Sequence, residues 1–158
     1  MASTVLRNFL GVLAVAGGGA FSTAEAAFEH VSCTGAPNEV RVTVSNVKQS
    51  AGLMTAELFR NEPDNFLKKA GREFRVRYAA RAPVTQFCVH APAAGEFAIV
   101  VYHDENANRK FDKNGLGIPK EPFGISNDPA IKFGPPPIDK ALFEVASTGA
   151  SVEIKLRD

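Results

Sequence analysis

In the stretch Glu96-Phe97-Ala98-Ile99-Val100-Val101-Tyr102, both faces of the predicted strand are apolar. Alternate side chains of a strand point to opposite faces of its sheet. A strand covered on one side only carries polar residues on its second face, and this stretch has none after Glu96. We therefore expect a central strand whose second face is covered by another part of the chain. Residues 103–137, which follow directly, are the natural cover.

Outside this stretch the chain from residue 40 onward also alternates with period 2, which indicates strands and not helices. Val40, Val42 and Val44, for example, alternate with polar side chains. The links at 46–52 and 147–150 have the length of hairpin turns. About seven strands are predicted, at 40–44, 54–58, 74–78, 85–89, 96–102, 141–145 and 152–156.

This pattern predicts an all-β fold, in the form of a single two-sheet β-sandwich with a long Gly/Pro-rich loop after a central strand. Both an immunoglobulin-like and a transthyretin-like topology fit it. A sandwich presents loops at its ends, and function concentrates on such loops.

Residues 103–137 form a run of roughly 35 residues with little helix or strand pattern, and loops of this length in compact domains are usually functional or disordered. Six of the ten prolines of the chain lie between residues 119 and 137. Prolines restrict the unfolded chain, so this run is stiffer than a linker. It also carries apolar side chains that can pack, namely Leu116, Ile118, Phe123, Ile125, Ile131 and Phe133.

The first 26 residues have the pattern of a signal peptide: a basic residue (Arg7), an apolar run at 9–20, and Ala24-Glu25-Ala26 as a cleavage site. We therefore expect residues 27–158 to be one domain that is periplasmic or secreted. No second long apolar run follows, so no membrane insertion of the mature chain is predicted.

Two cysteines, Cys33 and Cys88, remain in this exported domain and are predicted to form a disulfide. The alternative is a metal site that uses Cys88 and His90. With 18 basic and 17 acidic side chains, the chain has a net charge of +1. This balance gives no argument for a nucleic-acid partner.

The start of the long loop has oxygen-bearing residues at the spacing of a calcium loop. Asp104, Asn106, Asn108 and Asp112 would occupy positions 1, 3, 5 and 9, and Lys110 would offer its backbone carbonyl at position 7. Calcium, Ca²⁺, is therefore the one cofactor that the sequence suggests.

Two positions depart from that calcium pattern. Position 6 is Arg109 instead of a glycine, and position 12 is Gly115 instead of a glutamate. Glu105 or Glu121 would have to supply a further carboxylate, and weak affinity is expected. Alternatively, Asp and Asn side chains bond their own backbone and build a rigid loop without a metal.

The motifs Tyr102-His103-Asp104-Glu105-Asn106, Phe111-Asp112, Gly117-Ile118-Pro119-Lys120-Glu121-Pro122-Phe123-Gly124, Ser126-Asn127 and Phe133-Gly134-Pro135-Pro136 form one long signature. It resembles that of a bacterial exported family catalogued as domain of unknown function 2141. The resemblance covers most of the mature chain, and Arg109 stands where the family's glycine is expected. It implies a small envelope β-domain and carries no catalytic residues.

Three functions are compatible with these features. The first is a non-enzymatic binding or accessory module that uses the loop at 103–137 to contact an envelope protein or a glycan. The second is a weak calcium-binding structural domain, and the third is an enzyme with an acid/base site around His103. The residues expected to contact a ligand or partner are His103, Glu105, Lys120, Glu121, Asn127 and Lys132.

Overall fold

The computed structural model describes residues 32–131 and 134–158. The predicted signal peptide at 1–26 and Lys132 lie outside these residues. The described chain contains eight strands and three single-turn 3₁₀ helices, at Pro63–Asn65, Lys69–Gly71 and Ile138–Lys140. The strands are β1 (Glu39–Ser45), β2 (Leu53–Arg60), β3 (Arg72–Ala79), β4 (Val84–His90), β5 (Gly95–Asp104), β6 (Phe123–Ile125), β7 (Phe143–Val145) and β8 (Ala150–Lys155).

The strands form two sheets, which confirms the predicted all-β sandwich. The first sheet has the order β4-β1-β8, with β1 antiparallel to β4 and parallel to β8. The second sheet has the order β3-β2-β5-β6, and β7 pairs with the beginning of β5. This is not the constant-type immunoglobulin order, in which the first two strands share a sheet.

The main core lies between the two sheets and is built by the alternation that the sequence shows. Val40, Val42 and Val44 of β1 face Ile99 and Val101 of β5, and all five are buried. Because successive side chains of a strand alternate between faces, their polar neighbours point outward.

A second core covers the outer face of the second sheet, as predicted from the apolar second face of the 96–102 stretch. Ala98 of β5 packs there with Phe59 of β2 and with Ile125 of the long loop at 103–137, which we call the excursion. Ile138 and Ala141, just after the excursion, complete this core. β5 is central, with β2 on one side and β6 and β7 on the other.

The excursion is not devoid of regular structure, because it contributes the short strand β6. Phe123, Gly124 and Ile125 pair with Tyr102, Val101 and Val100 of β5. Gly124 is required here: a Cβ atom at this position would lie 2.5 Å from Ile154 Cγ2 and 2.7 Å from the Lys155 carbonyl. The absence of a side chain lets β6 approach β8.

The two predicted hairpins are wrong. β1 and β2 belong to different sheets, so the link at 46–52 crosses the sandwich instead of reversing within one sheet. β7 and β8 also belong to different sheets, and only the isolated bridge Ala146↔Gly149 joins their connection. Sheets in a sandwich lie about 10 Å apart, a gap that a short link can span.

The predicted disulfide between Cys33 and Cys88 is present, with Cα atoms 5.4 Å apart. It ties the segment before β1 to β4 in the first sheet. In the part of the chain that the structure describes, no helix has the length and apolar character needed to cross a membrane.

Candidate functional site

The loop that leaves β5 begins at Asp104, whose side chain is fully buried. One carboxylate oxygen of Asp104 accepts the Asn108 N–H at 3.0 Å, and the other accepts the Arg109 N–H at 2.7 Å. Asp104 thus folds the loop back over its own first residue. Gly52 allows this loop to start where it does, because a Cβ atom at Gly52 would collide with the backbone of Asp104 and Glu105.

Three of the predicted oxygen ligands converge in the loop. Asp112 Oδ2 accepts hydrogen bonds from the side-chain amides of Asn106 at 3.0 Å and Asn108 at 2.8 Å. The amide oxygens of the two asparagines accept N–H groups of the loop itself, those of Asn108 and Lys110. These are the Asx-turns that the sequence predicts for a loop that is rigid without a metal.

The loop turns sharply even though position 6 lacks a glycine. Ala107 and Arg109 both adopt left-handed backbone conformations, with φ of 56° and 64°. The Arg77 guanidinium on β3 donates to the Arg109 carbonyl at 3.4 Å. The loop therefore makes its turn with arginine in a conformation that glycine would adopt more easily.

Glu121 is brought into this loop by a small hairpin formed by residues 112–121. The Lys120 N–H donates to the Asp112 carbonyl at 2.9 Å, and Lys113 pairs with Pro119 in an isolated bridge. The Asp112 N–H in turn donates to Glu121 Oε2 at 3.1 Å. Of the two acidic residues that could supply a further carboxylate, Glu121 is the one that joins Asp112.

Glu121 is a buried carboxyl with unsatisfied bonding capacity. Only 5% of it is exposed, and its Oε1 atom has no hydrogen-bond partner among the described residues. Burial raises the pKa of Glu121, the Asp112 N–H opposes this, and the nearby charges of Asp104, Asp112 and Glu105 add to it, so that the pKa of Glu121 is about 7. Several acidic side chains therefore lie near one another in this loop.

Within 32–131 and 134–158, no Lys, Arg or His side chain forms an ion pair with Asp104, Asp112 or Glu121. The three carboxylates are also not gathered into one tight group. In the same residues, the only set of three His, Cys, Asp or Glu ligand atoms within 4.8 Å of one another is that of Cys33, Glu39 and Cys88. Two members of that set form the disulfide, and the exposed His90 lies beside it, with Nε2 3.7 Å from Glu39 Oε1.

His103 does not join the carboxylates of the loop. It is fully buried on the inner face of β5, opposite Met54, and its Nε2 lies 2.6 Å from the Ala51 carbonyl oxygen. Its Nδ1 lies 3.9 Å from Glu105 Oε1 and has no hydrogen-bond partner among the residues described. The next residue, Asp104, points to the opposite face, so the two side chains are separated by the sheet.

The remaining residues predicted to contact a partner divide into two kinds. Lys120 is exposed, whereas the Asn127 amide is tied to the Leu142 carbonyl at 2.6 Å. Asn127 therefore holds the excursion in place, and Lys132 falls outside the described part of the chain. Of the two that the structure describes, Lys120 is the one free of a hydrogen bond to the backbone.

Sequence reasoning missed an ordered turn at residues 113–119, which we call the Leu116 tip. Asn114 builds it, because its side-chain oxygen accepts the N–H groups of Leu116 at 2.9 Å and Ile118 at 3.0 Å. Leu116 is 87% exposed and Ile118 is 56% exposed. The sequence signal was present in Asn114-Gly115-Leu116-Gly117, which has the composition of a turn around an apolar residue.

The Leu116 tip borders an apolar groove of about 540 Å³ on the outer face of the second sheet. Its floor and walls include Val100, Phe111, Phe123, Ile125 and Ile131. The groove has the volume of small-ligand and side-chain pockets.

Basic side chains surround the tip. Lys113 lines the groove, and Arg109, Lys110 and Lys120 are exposed beside it in the chain. No carboxylate of the described residues lies within ion-pair distance of these four. The lining of the groove is therefore apolar except for Lys113.

Fold and site together define a class of protein: a two-sheet β-sandwich in which one excursion supplies an acidic loop with two buried carboxyl groups and lines an apolar groove. The family described as uncharacterized protein conserved in bacteria (DUF2141) matches residues 42–153, and the chain belongs to that family. This confirms the resemblance. No curated protein and no solved structure matches the chain.

Proposed function

We propose that this protein is an exported, non-enzymatic binding module whose groove holds an apolar, acidic-flanked segment of an envelope protein. The observation that carries the proposal is the pair of exposed side chains, Leu116 and Ile118, on an ordered turn beside an apolar groove. Exposed apolar side chains grouped in this way are typical of interaction sites.

The fixed shape of the tip favours binding. Asn114 and the bridge between Lys113 and Pro119 hold the tip before a partner arrives. A turn that is already ordered loses little conformational entropy on association, so more of the apolar contact appears as affinity.

The basic side chains of Lys113 and Lys120 at the Leu116 tip favour an acidic partner. Lys113 and Lys120 flank the tip on either side and have no described carboxylate within ion-pair distance. Opposite charges across an interface speed encounter and suppress wrong partners. Aliphatic, aromatic and proline side chains dominate the lining, which suits the side chains of a protein better than the hydroxyl groups of a glycan.

The proposed compartment is the periplasm or the extracellular space. The signal-peptide pattern supports it, and so does the Cys33–Cys88 disulfide, because such bonds persist in oxidising compartments. Recovery of the oxidised chain from a periplasmic extract, with its N-terminus at Ala27, would test this assignment.

The proposal is tested with a fluorescent peptide that carries two leucines flanked by glutamates. We expect saturable binding that weakens about tenfold or more in Leu116→Ser/Ile118→Ser, which corresponds to about 1.4 kcal/mol. The peptide should also bind more weakly to Lys113→Glu/Lys120→Glu. A control is Val84→Ser, which removes an exposed apolar side chain from β4 in the other sheet and should leave binding unchanged.

A second peptide with lysines in place of the glutamates, and vesicles of phosphatidylglycerol, complete the design. Equal binding of the two peptides would overturn the charge argument. Binding to the vesicles alone would replace the protein partner by a lipid surface. Equal affinity of the wild type and the Leu116→Ser/Ile118→Ser variant would remove the groove from the proposal.

A further inference from the structure

We infer that the loop after β5 and the end of the 112–121 hairpin together form a calcium site. The inference is independent of the partner groove. The proposed ligands are side-chain oxygens of Asp104, Asn106, Asn108, Asp112 and Glu121, with the Lys110 carbonyl as a sixth.

The observation that carries the inference is Glu121, which reaches the loop from outside the 104–112 segment. Its Oε2 atom is held by the Asp112 N–H, and its Oε1 atom is buried without a partner in the described chain. Buried polar atoms are nearly always hydrogen-bonded or bound to an ion. An unpartnered carboxylate oxygen among other carboxylates is a ligand for a cation.

The charges around Glu121 indicate that the ligand is positively charged. Asp104 is fully buried and Glu121 nearly so, and neither forms an ion pair with a described side chain. A buried charge is costly unless it is paired or coordinates a metal. A single dication among these carboxylates would stabilise both.

The two asparagines already point their polar ends at the place where the cation would lie. Asn106 and Asn108 donate their amide N–H groups to Asp112 Oδ2, which supplies partial positive charge to that carboxylate. Each amide oxygen accepts one N–H group of the loop, that of Asn108 or Lys110, and an amide oxygen has a second acceptor site. The same side chains can therefore present oxygens to a metal.

The backbone bonds of Asp104 do not prevent coordination. Each of its oxygens accepts one N–H group, from Asn108 or Arg109, and a carboxylate oxygen has two acceptor sites. The bonds fix the carboxylate in one orientation, which lowers the entropy that is lost when a metal binds.

The number and kind of ligands favour calcium over magnesium. Calcium accepts six to eight oxygen ligands in flexible geometry, whereas magnesium requires a regular octahedron and gives up its water reluctantly. Oxygens on opposite sides of a calcium ion are about 5 Å apart. Binding would draw the side chains of Asp112 and Glu121 toward the fixed Asp104 carboxylate, and an affinity on the order of 10⁻⁴ to 10⁻³ M is expected, as in extracellular calcium modules.

The test is calorimetric titration of the chelator-treated full-length protein with CaCl₂, with MgCl₂ as comparison, and thermal melting at the same concentrations. We expect heat of binding and a higher melting temperature with calcium. Glu121→Gln keeps the side-chain shape, and it should lower calcium affinity tenfold or more. Glu153→Gln, the same change at an exposed position of β8, should not.

A second variant keeps the inference testable if Glu121→Gln folds poorly. Asp112→Asn removes one charge at a half-buried position and leaves an oxygen that can still accept the asparagine amides. It should also lower affinity tenfold or more.

Terbium offers an independent readout, because Tyr102 packs 4.9 Å from Phe111, next to Asp112, and could sensitise its emission. Tyr102→Phe should lose that emission and keep calcium binding.

Absence of heat and of any melting shift at millimolar calcium would overturn the site. Calcium binding of equal affinity in the wild type, Glu121→Gln and Asp112→Asn would overturn the proposed ligands. Equal affinity for magnesium would overturn the choice of ion. None of these outcomes alters the result expected from the peptide experiment, so the two proposals fail separately.

Discussion

Arg109 holds a backbone conformation that side chains disfavour, and the acidic loop depends on it. Its φ of 64° lies in the left-handed region, where an L-residue other than glycine costs about 1–2 kcal/mol. The hydrogen bonds at both of its backbone groups, to Asp104 and Arg77, hold it there. A loop over-determined in this way keeps its shape when the side chain at the turn is changed.

The conformation of Arg109 predicts that glycine gives a more stable protein than alanine at this position, the reverse of the usual order. Arg109→Gly and Arg109→Ala both remove the side chain, but we expect the glycine variant to be more stable by about 1 kcal/mol, because only glycine adopts this φ freely. At Lys110, whose φ is not positive, alanine should be the more stable by about 0.5–1 kcal/mol. Urea unfolding of the four variants measures both differences, and the same order at both positions would contradict the left-handed turn.

The sequence predicted most residues of the acidic loop but did not single out Glu121, which joins them from the 112–121 hairpin. Spacing alone brought Asp104, Asn106, Asn108 and Asp112 together, because alternate residues of a tight turn face its centre. Glu121 could be named only as one of two alternatives. The hairpin that brings it back depends on long-range bonds to Asp112, which no local pattern encodes.

At the scale of strands, alternation predicts which segments are extended and which face is buried, but not which sheet receives them. The links at 46–52 and 147–150 are as long as hairpin turns, yet both connect strands of different sheets. A strand in a sandwich gains the same burial in either sheet, so only packing of the whole core decides between them. β6 was missed because three residues are too few to show a period.

The close approach of β6 to β8 predicts that alanine substitutions at two glycines of the excursion differ strongly in their effect on stability. Gly124→Ala should destabilise the protein by about 1–3 kcal/mol, because its Cβ would overlap Ile154 and the Lys155 carbonyl. Gly115→Ala is the matched control, since no heavy atom lies within 4 Å of its Cβ position and its φ is not left-handed. Thermal melting compares the two, and similar melting temperatures would contradict the close approach of β6 to β8.

At the scale of the molecule, the disulfide joins the segment before β1 to a strand more than fifty residues later. Cys33 and Cys88 are 55 residues apart in sequence. In the chain-entropy treatment a closed loop of this size stabilises the fold by about 4 kcal/mol, because it restricts the unfolded chain.

Replacing both cysteines by alanine should therefore cost about 2–4 kcal/mol and lower the urea midpoint by roughly 1–2 M. The wild-type protein under reducing conditions should unfold at the same midpoint as the variant. An unchanged midpoint in the variant would contradict a stabilising effect of the disulfide on the unfolded chain.

The parallel pairing of β1 with β8 has a consequence for how the chain folds. Val40 lies opposite Ala150, so this contact closes over 150 − 40 = 110 residues. Contacts of such long range slow folding, and all-β domains dominated by them fold in milliseconds to seconds. The first sheet cannot be completed until the last strand has been delivered, so a chain threaded N-terminus first through a membrane would leave the backbone edge of β1 that pairs with β8 open until almost all of it had crossed.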